Sequence, residues 1–206
     1  MRKIEPFEDD YIMEKSELIE LIKTAFMSNK MPDDNDIVYD PLTADEGIEQ
    51  VYSGKLWYEL DYKFILENRN GIYFFSKNAF RYFIPAFMIA TIEYFEETDD
   101  VSAVVVNIFT LPEKADTVKK FNSLKSYNNS IGYDEELMKE LIKSTDGQRE
   151  WFLERMSSFN DMQCKSVIKY LKYMEQYKDE LYNDPKISYE RYWRRYGYKG
   201  NGIFID

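Results

Sequence analysis

Hydrophobic side chains recur every three or four residues over most of the chain, which is the spacing typical of amphipathic helices. The clearest early example runs from Ser16 to Lys30, where charged residues separate the apolar ones. We expect this helix to stop near Asn29, because Pro32 disfavours helical geometry in the residue before it. This pattern predicts a mainly α protein.

A second segment, residues 77–97, is apolar almost all the way round the helix that it predicts. Ser76 is a suitable N-cap for this helix, and Pro85 predicts a kink in it or its division into two pieces. A helix that is hydrophobic on every side is a buried one. We therefore predict a single-domain helical array over residues 1–206, arranged around this central apolar helix.

Two stretches depart from clear helical periodicity. Residues 101–109 are rich in valine and end with Ile108 and Phe109, so they are compatible with a minor β element or with a short buried helix. Residues 112–133 are rich in Asn and Ser and contain a proline and a glycine, which predicts an irregular connection.

Three Ser/Thr/Asn-x-x-Glu/Gln spacings predict helix starts, because the first and last side chains of such a capping box can bond each other's backbone. They are Thr43–Glu46, Thr145–Gln148 and Asn160–Gln163. Gly54 is expected to end the helix that the first box opens. A helix over residues 134–143 precedes the second box, and residues 184–206 form a C-terminal tail of alternating aromatic and basic side chains.

The composition excludes several kinds of catalytic and metal-binding site. The chain has 206 residues, a net charge of −11 and no histidine, which excludes Ser-His-Asp and Cys-His catalysis and histidine-ligated metals. The lone cysteine, Cys164, can form neither an internal disulfide nor a cysteine metal site, so we expect a cytoplasmic setting. No stretch reaches the roughly 20 apolar residues of a membrane-spanning helix, so no membrane association is predicted.

Two segments together resemble a known family. Gly54-Lys-Leu-Trp57, followed by Ser-Lys-Asn-Ala-Phe-Arg-Tyr-Phe-Ile-Pro-Ala within residues 75–88, is similar to bacterial proteins grouped as a domain of unknown function. The likeness extends over residues 18–175, and it is specific in residues 75–88. This chain has Phe75, Phe83 and Ile84 at that family's Leu, Tyr and Leu positions. The resemblance implies a bacterial, cytoplasmic protein, and it implies no activity and no catalytic residues.

Negative charge is concentrated in the first half of the chain. Residues 1–100 carry 10 basic and 22 acidic side chains, a net charge of −12. The densest acidic cluster is a candidate surface for a basic partner, although the plainer interpretation is a solvated helix end. Its members are Glu93, Glu96, Glu97, Asp99 and Asp100.

A second candidate is a pocket formed by Trp57, Arg81 and Tyr82. A guanidinium group held among aromatic side chains is suited to bind a carboxylate or a phosphate. We favour the alternative interpretation, in which Arg81 reaches solvent or pairs with one acidic side chain and so orients the central helix.

The C-terminal tail offers a third candidate surface, formed by Tyr192, Trp193, Arg194 and Arg195. Aromatic and basic side chains together can stack bases and neutralise phosphates. We favour the alternative in which the aromatic face packs on the core and the arginines pair with the acidic half, since aromatic stripes at helical spacing are usually packing faces.

These observations favour a non-enzymatic bacterial protein that binds a basic protein through its acidic surface, such as an immunity or antitoxin protein. Two alternatives stay open. One is a histidine-independent enzyme with carboxylate, Arg and Tyr side chains in a pocket near Arg81, and the other is nucleic-acid binding through the tail, which we favour least. No residue spacing marks a catalytic, cofactor or metal site, so we predict none.

Overall fold

The computed structural model describes residues 12–39, 47–98, 100–127, 135–181 and 184–197. Within these ranges the chain is mainly α, as predicted. In chain order the helices are α1 (Lys15–Phe26), α2 (Ile48–Tyr52), α3 (Tyr62–Glu67), α4 (Gly71–Phe74), α5 (Lys77–Glu93), α6 (Val101–Ile108), α7 (Lys114–Tyr127), α8 (Glu135–Met156), α9 (Asp161–Met174), α10 (Pro185–Ser188) and α11 (Arg194–Gly197). Short 3₁₀ segments lie at Asp34–Asp36, Trp57–Glu59 and Glu175–Glu180, and a π-helical segment lies at Tyr189–Trp193.

The central apolar helix is α5. Ser76 is its N-cap and accepts a hydrogen bond from the backbone N–H of Ala79 at 3.1 Å. The helix continues through Pro85 to Glu93 as one element, so the division into two pieces at Pro85 does not occur. Side chains on all sides of α5 are buried, which confirms its predicted place in the core.

Several elements cover α5. Helix α1 packs against both α5 and α9, while α3, α6 and the Trp57–Glu59 segment pack directly on α5. Aromatic rings fill the interior: the Tyr52 ring lies 4.8 Å from Phe75 and 5.0 Å from Phe83 between centroids. This arrangement buries the apolar faces of α1, α3 and α6 against the largely apolar helix α5.

The minor β element considered for residues 101–109 is wrong, because these residues form α6. Val101, Val105 and Val106 are fully buried, and α6 packs on α5. The packing of these valines outweighs their intrinsic preference for strands. Among the described residues, the β pairing is one isolated bridge between Val38 and Phe75.

The chain divides into two compact units. The larger one comprises Met1–Thr110 and Ser158–Asp206, and the smaller one comprises Leu111–Ser157. The single domain over residues 1–206 therefore stays a prediction.

The smaller unit corrects two sequence predictions. The irregular connection over residues 112–133 is wrong for Lys114–Tyr127, which form α7 and pack against α8. The capping box at Thr145 is also wrong, because α8 continues through it. The Thr145 hydroxyl instead donates to the backbone carbonyl of Leu141 at 2.9 Å and lies 2.7 Å from the Thr117 hydroxyl.

Other predicted boundaries agree with the structure more closely. Helix α1 ends at Phe26, close to the expected stop. Gly54 has a φ of +67° directly after α2 and so ends that helix, as predicted. The capping box at Thr43–Glu46 lies outside the described residues. Within the part of the chain that the structure describes, no helix has the length and hydropathy needed to cross a membrane.

Candidate functional site

The acidic cluster lies at the C-terminal end of α5 and in the turn that follows. The side chains of Glu93, Glu96 and Glu97 are exposed, whereas Asp100 is half-buried just before α6. Asp99 lies outside the described residues. Lys15 donates from Nζ to the backbone carbonyl of Glu93 at 2.8 Å, so a cation from α1 covers the negative end of α5.

A cleft of about 230 Å³ opens beside this turn, and we call it the acidic cleft. Three carboxylates line it. Two belong to the predicted cluster, and one belongs to the 3₁₀ segment Glu175–Glu180, which is distant in sequence. The lining residues are Phe95, Glu96, Asp100, Ser102, Ala103, Glu180 and Leu181. Glu93 and Glu97, the other described members of the cluster, do not line the cleft.

The walls of the acidic cleft are set by packing. The Phe95 ring stacks on Tyr177 with centroids 3.9 Å apart, which ties the turn after α5 to the Glu175–Glu180 segment. Asp100 Oδ1 lies 3.3 Å from Arg69 Nε in a partly exposed ion pair. Burial and, secondly, the negative charge of Asp100 raise the pKa of Tyr73. The Phe95–Tyr177 stack therefore ties together the two segments that carry the carboxylates, and the charge of Asp100 acts on Tyr73.

The pocket predicted from Trp57, Arg81 and Tyr82 does not assemble around Arg81. Trp57 and Tyr82 are both buried, with Trp57 only 1% exposed. Burial raises the pKa of the Tyr82 hydroxyl, and a hydrogen bond with the Trp57 backbone opposes that rise. These two residues belong to the core, whereas the Arg81 side chain is half-buried and lines a separate cleft.

A buried amide holds Arg81 in place. Gln163 Oε1 accepts a hydrogen bond from Arg81 Nε at 3.2 Å and another from the backbone N–H of Asn160 at 3.1 Å. Gln163 Nε2 donates to the carbonyl of Ala25 at 3.1 Å and to Asn29 Oδ1 at 2.8 Å. Gln163 is completely buried, and these bonds join α1, α5 and α9. The predicted capping box at Asn160 is thereby confirmed, and it also positions Arg81.

The Arg81 cleft, as we call it, has a volume of about 280 Å³. It lies between the chain after α1 and the first turns of α5, and both elements contribute polar side chains. The lining residues are Ser28, Asn29, Lys30, Met31, Pro32, Asp33, Asp36, Asn78 and Arg81. Asn78 Nδ2 donates to Asp36 Oδ2 at 2.6 Å, and Ser76 Oγ donates to the Asp36 carbonyl at 2.5 Å.

The aromatic side chains of the C-terminal tail pack on the core of the larger unit. Tyr192 and Trp193 are buried, and Trp193 Nε1 donates to the carbonyl of Phe109 at 2.8 Å. Arg194 pairs with Glu190 in the same segment at 3.1 Å, and the Arg195 guanidinium lies 4.3 Å from the Tyr192 ring centroid. The aromatic half of the candidate tail surface is thus inside the protein, while Arg194 and Arg195 remain partly or fully exposed.

No metal-binding arrangement is found in the described residues: no three Asp, Glu or Cys side chains there are grouped closely enough to hold an ion. Cys164 is buried near the start of α9, where its thiol lies 3.9 Å from the Phe159 carbonyl.

The sequence does not single out Asn78, Asp36 and Glu180, which line the two clefts with charged or amide groups, or the role of Gln163 behind Arg81. Asn78 precedes Arg81 by three residues, so its place on the same helix face was a usable signal. The capping box was a signal for the structural importance of Gln163, but nothing in it indicated a bond to Arg81. Asp36 and Glu180 carry no local signal, because the fold alone brings them to α5 and to the turn after it.

Comparison with known proteins adds no further constraint, since no family model, no curated protein and no solved structure matches this chain. The resemblance of residues 75–88 to a bacterial family of unknown function therefore stays an expectation from the sequence.

Proposed function

We propose that this protein is a non-enzymatic binding module of the bacterial cytoplasm that captures a basic protein through the acidic cleft, as an immunity or antitoxin protein would. One observation carries the proposal: Glu96, Asp100 and Glu180 line a single cleft, although Glu180 is distant from the other two in sequence. The shape and charge of this cleft suit the end of a lysine or arginine side chain.

Long-range electrostatics favours the same partner. The net charge of −11 attracts a basic protein from a distance and speeds its encounter with this one. A cleft lined by charges of one sign concentrates that field at its mouth. Tyr73, whose pKa is raised in part by Asp100 of the cleft, is exposed, and tyrosine is enriched at protein interfaces.

The alternative of nucleic-acid binding through the tail is less well supported. It needs aromatic faces on which bases stack, and both Tyr192 and Trp193 are buried. The negative charge of the chain also opposes contact with phosphates.

The test is a capture experiment from bacterial lysate at low salt, with mass spectrometry of the retained proteins. Three forms are compared: the natural sequence, the double variant Glu96→Gln/Glu180→Gln, and the control Glu135→Gln/Glu136→Gln. Both variants lose two negative charges, but the control loses them from exposed positions at the start of α8. We expect one basic protein on the natural form and on the control, and at least about tenfold less of it on the cleft variant.

Carbodiimide cross-linking of the captured pair then tests the contact directly. It joins a carboxylate to a lysine amine, so a cross-link from Glu96 or Glu180 to the partner is expected. Equal retention on all three forms, or cross-links confined to acidic residues elsewhere, would overturn the proposal.

A further inference from the structure

The guanidinium of Arg81 is a positioned cation with unused donors. Its Nε is bonded to Gln163, whereas the two Nη groups have no hydrogen-bond or ion-pair partner among the described residues. Because Gln163 is fully buried and tied to α1 and α9, the orientation of the guanidinium is fixed before any ligand arrives. A preorganised guanidinium presenting its Nη groups to a cleft is suited to a planar carboxylate.

The other lining residues indicate which charged group the ligand carries besides its carboxylate. Lys30 and Arg81 contribute two positive charges to the cleft, and Asp33 and Asp36 contribute two negative ones, so its lining is neutral overall. A phosphate or nucleotide, which carries two or more negative charges, is disfavoured by the two carboxylates. A ligand with one charge of each sign matches the lining.

The position of Asp36 determines how that ligand is oriented in the cleft. Asn78 and Arg81 are three residues apart on α5 and therefore lie on one face of the helix. Asn78 holds the Asp36 carboxylate at 2.6 Å, so a negatively charged group lines the same cleft as the guanidinium. The other carboxylate oxygen of Asp36 and the amide oxygen of Asn78 accept no hydrogen bond from the part of the chain that the structure describes.

We propose that the Arg81 cleft binds a small zwitterion of the α-amino-acid class. The ligand carboxylate accepts hydrogen bonds from the Nη groups of Arg81, and its ammonium group donates to Asp36 and Asn78. Met31 and Pro32 form the apolar part of the lining, where the ligand side chain fits. This site is separate from the acidic cleft, and the inference does not depend on the proposed function.

The test is isothermal titration of the full chain with each of the common α-amino acids at millimolar concentrations. Every ligand that binds is compared with its two analogues, the carboxylic acid without the amino group and the amine without the carboxylate. We expect saturable binding of at least one amino acid and at least tenfold weaker binding of both analogues. Each charge-assisted contact is worth about that factor.

Variants then locate the site. Arg81→Lys and Asp36→Asn are each expected to weaken binding by about tenfold or more. The first keeps the positive charge but removes the paired Nη donors, and the second removes the negative charge that faces the ammonium group. Asp36→Asn retains the backbone carbonyl that Ser76 bonds, so it tests the proposal even where Arg81→Lys fails to fold. The control is Glu96→Gln in the acidic cleft, which is expected to bind the ligand normally.

Three outcomes would overturn the proposal. The first is that no amino acid binds at millimolar concentration, and the second is that the analogue without the amino group binds as tightly as the amino acid. The third is that Asp36→Asn binds as the natural chain does. None of these results bears on capture of a basic protein at the acidic cleft, so the two proposals fail independently.

Discussion

The two clefts of the larger unit are built in opposite ways. The Arg81 cleft has equal numbers of positive and negative side chains, and its guanidinium is tied to a buried amide that joins three helices. The acidic cleft has three carboxylates on a turn and on a 3₁₀ segment, with Arg69 as a partner at one of them. One cleft is therefore part of the hydrogen-bonded core, whereas the other is a charged surface supported by the core.

The two clefts would select a ligand by different interactions: positioned hydrogen bonds in the Arg81 cleft and long-range charge in the acidic cleft. The partly buried hydrogen bonds that Gln163 forms with Arg81 and Asn29 fix positions and are little screened by salt. Exposed carboxylates attract from a distance and are screened within about 10 Å at moderate ionic strength. Substitutions in the two clefts should therefore differ in the size, the sign and the salt dependence of their effects on stability.

The largest expected difference comes from the buried amide. Gln163→Ala removes a capping interaction and leaves buried partners of Gln163 without hydrogen bonds, so we expect the free energy of unfolding to fall by about 3 kcal/mol. The matched substitution in the acidic cleft, Glu180→Ala, should change it by less than about 0.5 kcal/mol. Urea unfolding followed by circular dichroism measures both, and similar values for the two variants would contradict the comparison.

A smaller difference, with opposite signs, is expected when one carboxylate is neutralised in each cleft. Glu96→Gln should raise stability by less than about 1 kcal/mol at low salt, because it relieves repulsion, and the gain should vanish near 1 M salt. Asp36→Asn should lower stability at both salt concentrations, because it weakens the 2.6 Å hydrogen bond from Asn78. Thermal unfolding at the two salt concentrations distinguishes these outcomes. A salt-independent effect of Glu96→Gln would show that the acidic cleft does not act through exposed charge.

The smallest effect is a shift of one pKa. Asp100→Asn removes a negative charge that helps to raise the pKa of Tyr73, so that pKa should move down towards its usual value. Burial, the larger cause, remains and keeps it raised. An NMR titration with labelled tyrosine follows the change, and Asp116→Asn in the smaller unit is the control. An unchanged Tyr73 would mean that the field of the acidic cleft does not reach it.

Much of the helical framework follows from local sequence. The start of α5 at Ser76 and the cap of α9 depend on side chains within one turn, so capping patterns suffice to place them. The end of α5 was predicted less well, because the helix stops at Glu93 and not at residue 97. The structure of residues 101–109 could not be predicted in this way. Their valines favour strands locally, and their burial against α5 decides the outcome.

The smaller unit shows a second limit. The box at Thr145 has suitable residues, as has the one at Asn160, yet only the second forms a cap. The Thr145 hydroxyl instead bonds the backbone carbonyl one turn earlier and lies beside the Thr117 hydroxyl of α7. Helix α8 therefore continues through Thr145. The pairing of α7 with α8 also makes residues 114–127 helical despite their Asn and Ser content.

The candidate sites were predictable in part. Arg81 stands out in the sequence as a polar side chain in an apolar helix, but the pattern indicates aromatic partners, Trp57 and Tyr82. The neighbours that matter are Asn78, which shares its helix face, and Gln163, which the fold brings from α9. Likewise the acidic cluster was visible from sequence, whereas the contribution of Glu180 depends on long-range packing.

The hydrogen bond from Gln163 to the carbonyl of Ala25 spans 138 residues of sequence, and that from Trp193 to Phe109 spans 84. Both bonds can close only after most of the intervening chain has been made, because their partners lie far apart in sequence. At ribosomal rates of about 5–20 residues per second, α1 emerges on the order of ten seconds before α9. During that interval the face of α1 that packs on α9 is uncovered. The nascent chain is consequently expected to be a client of ribosome-associated chaperones until its last helices are made.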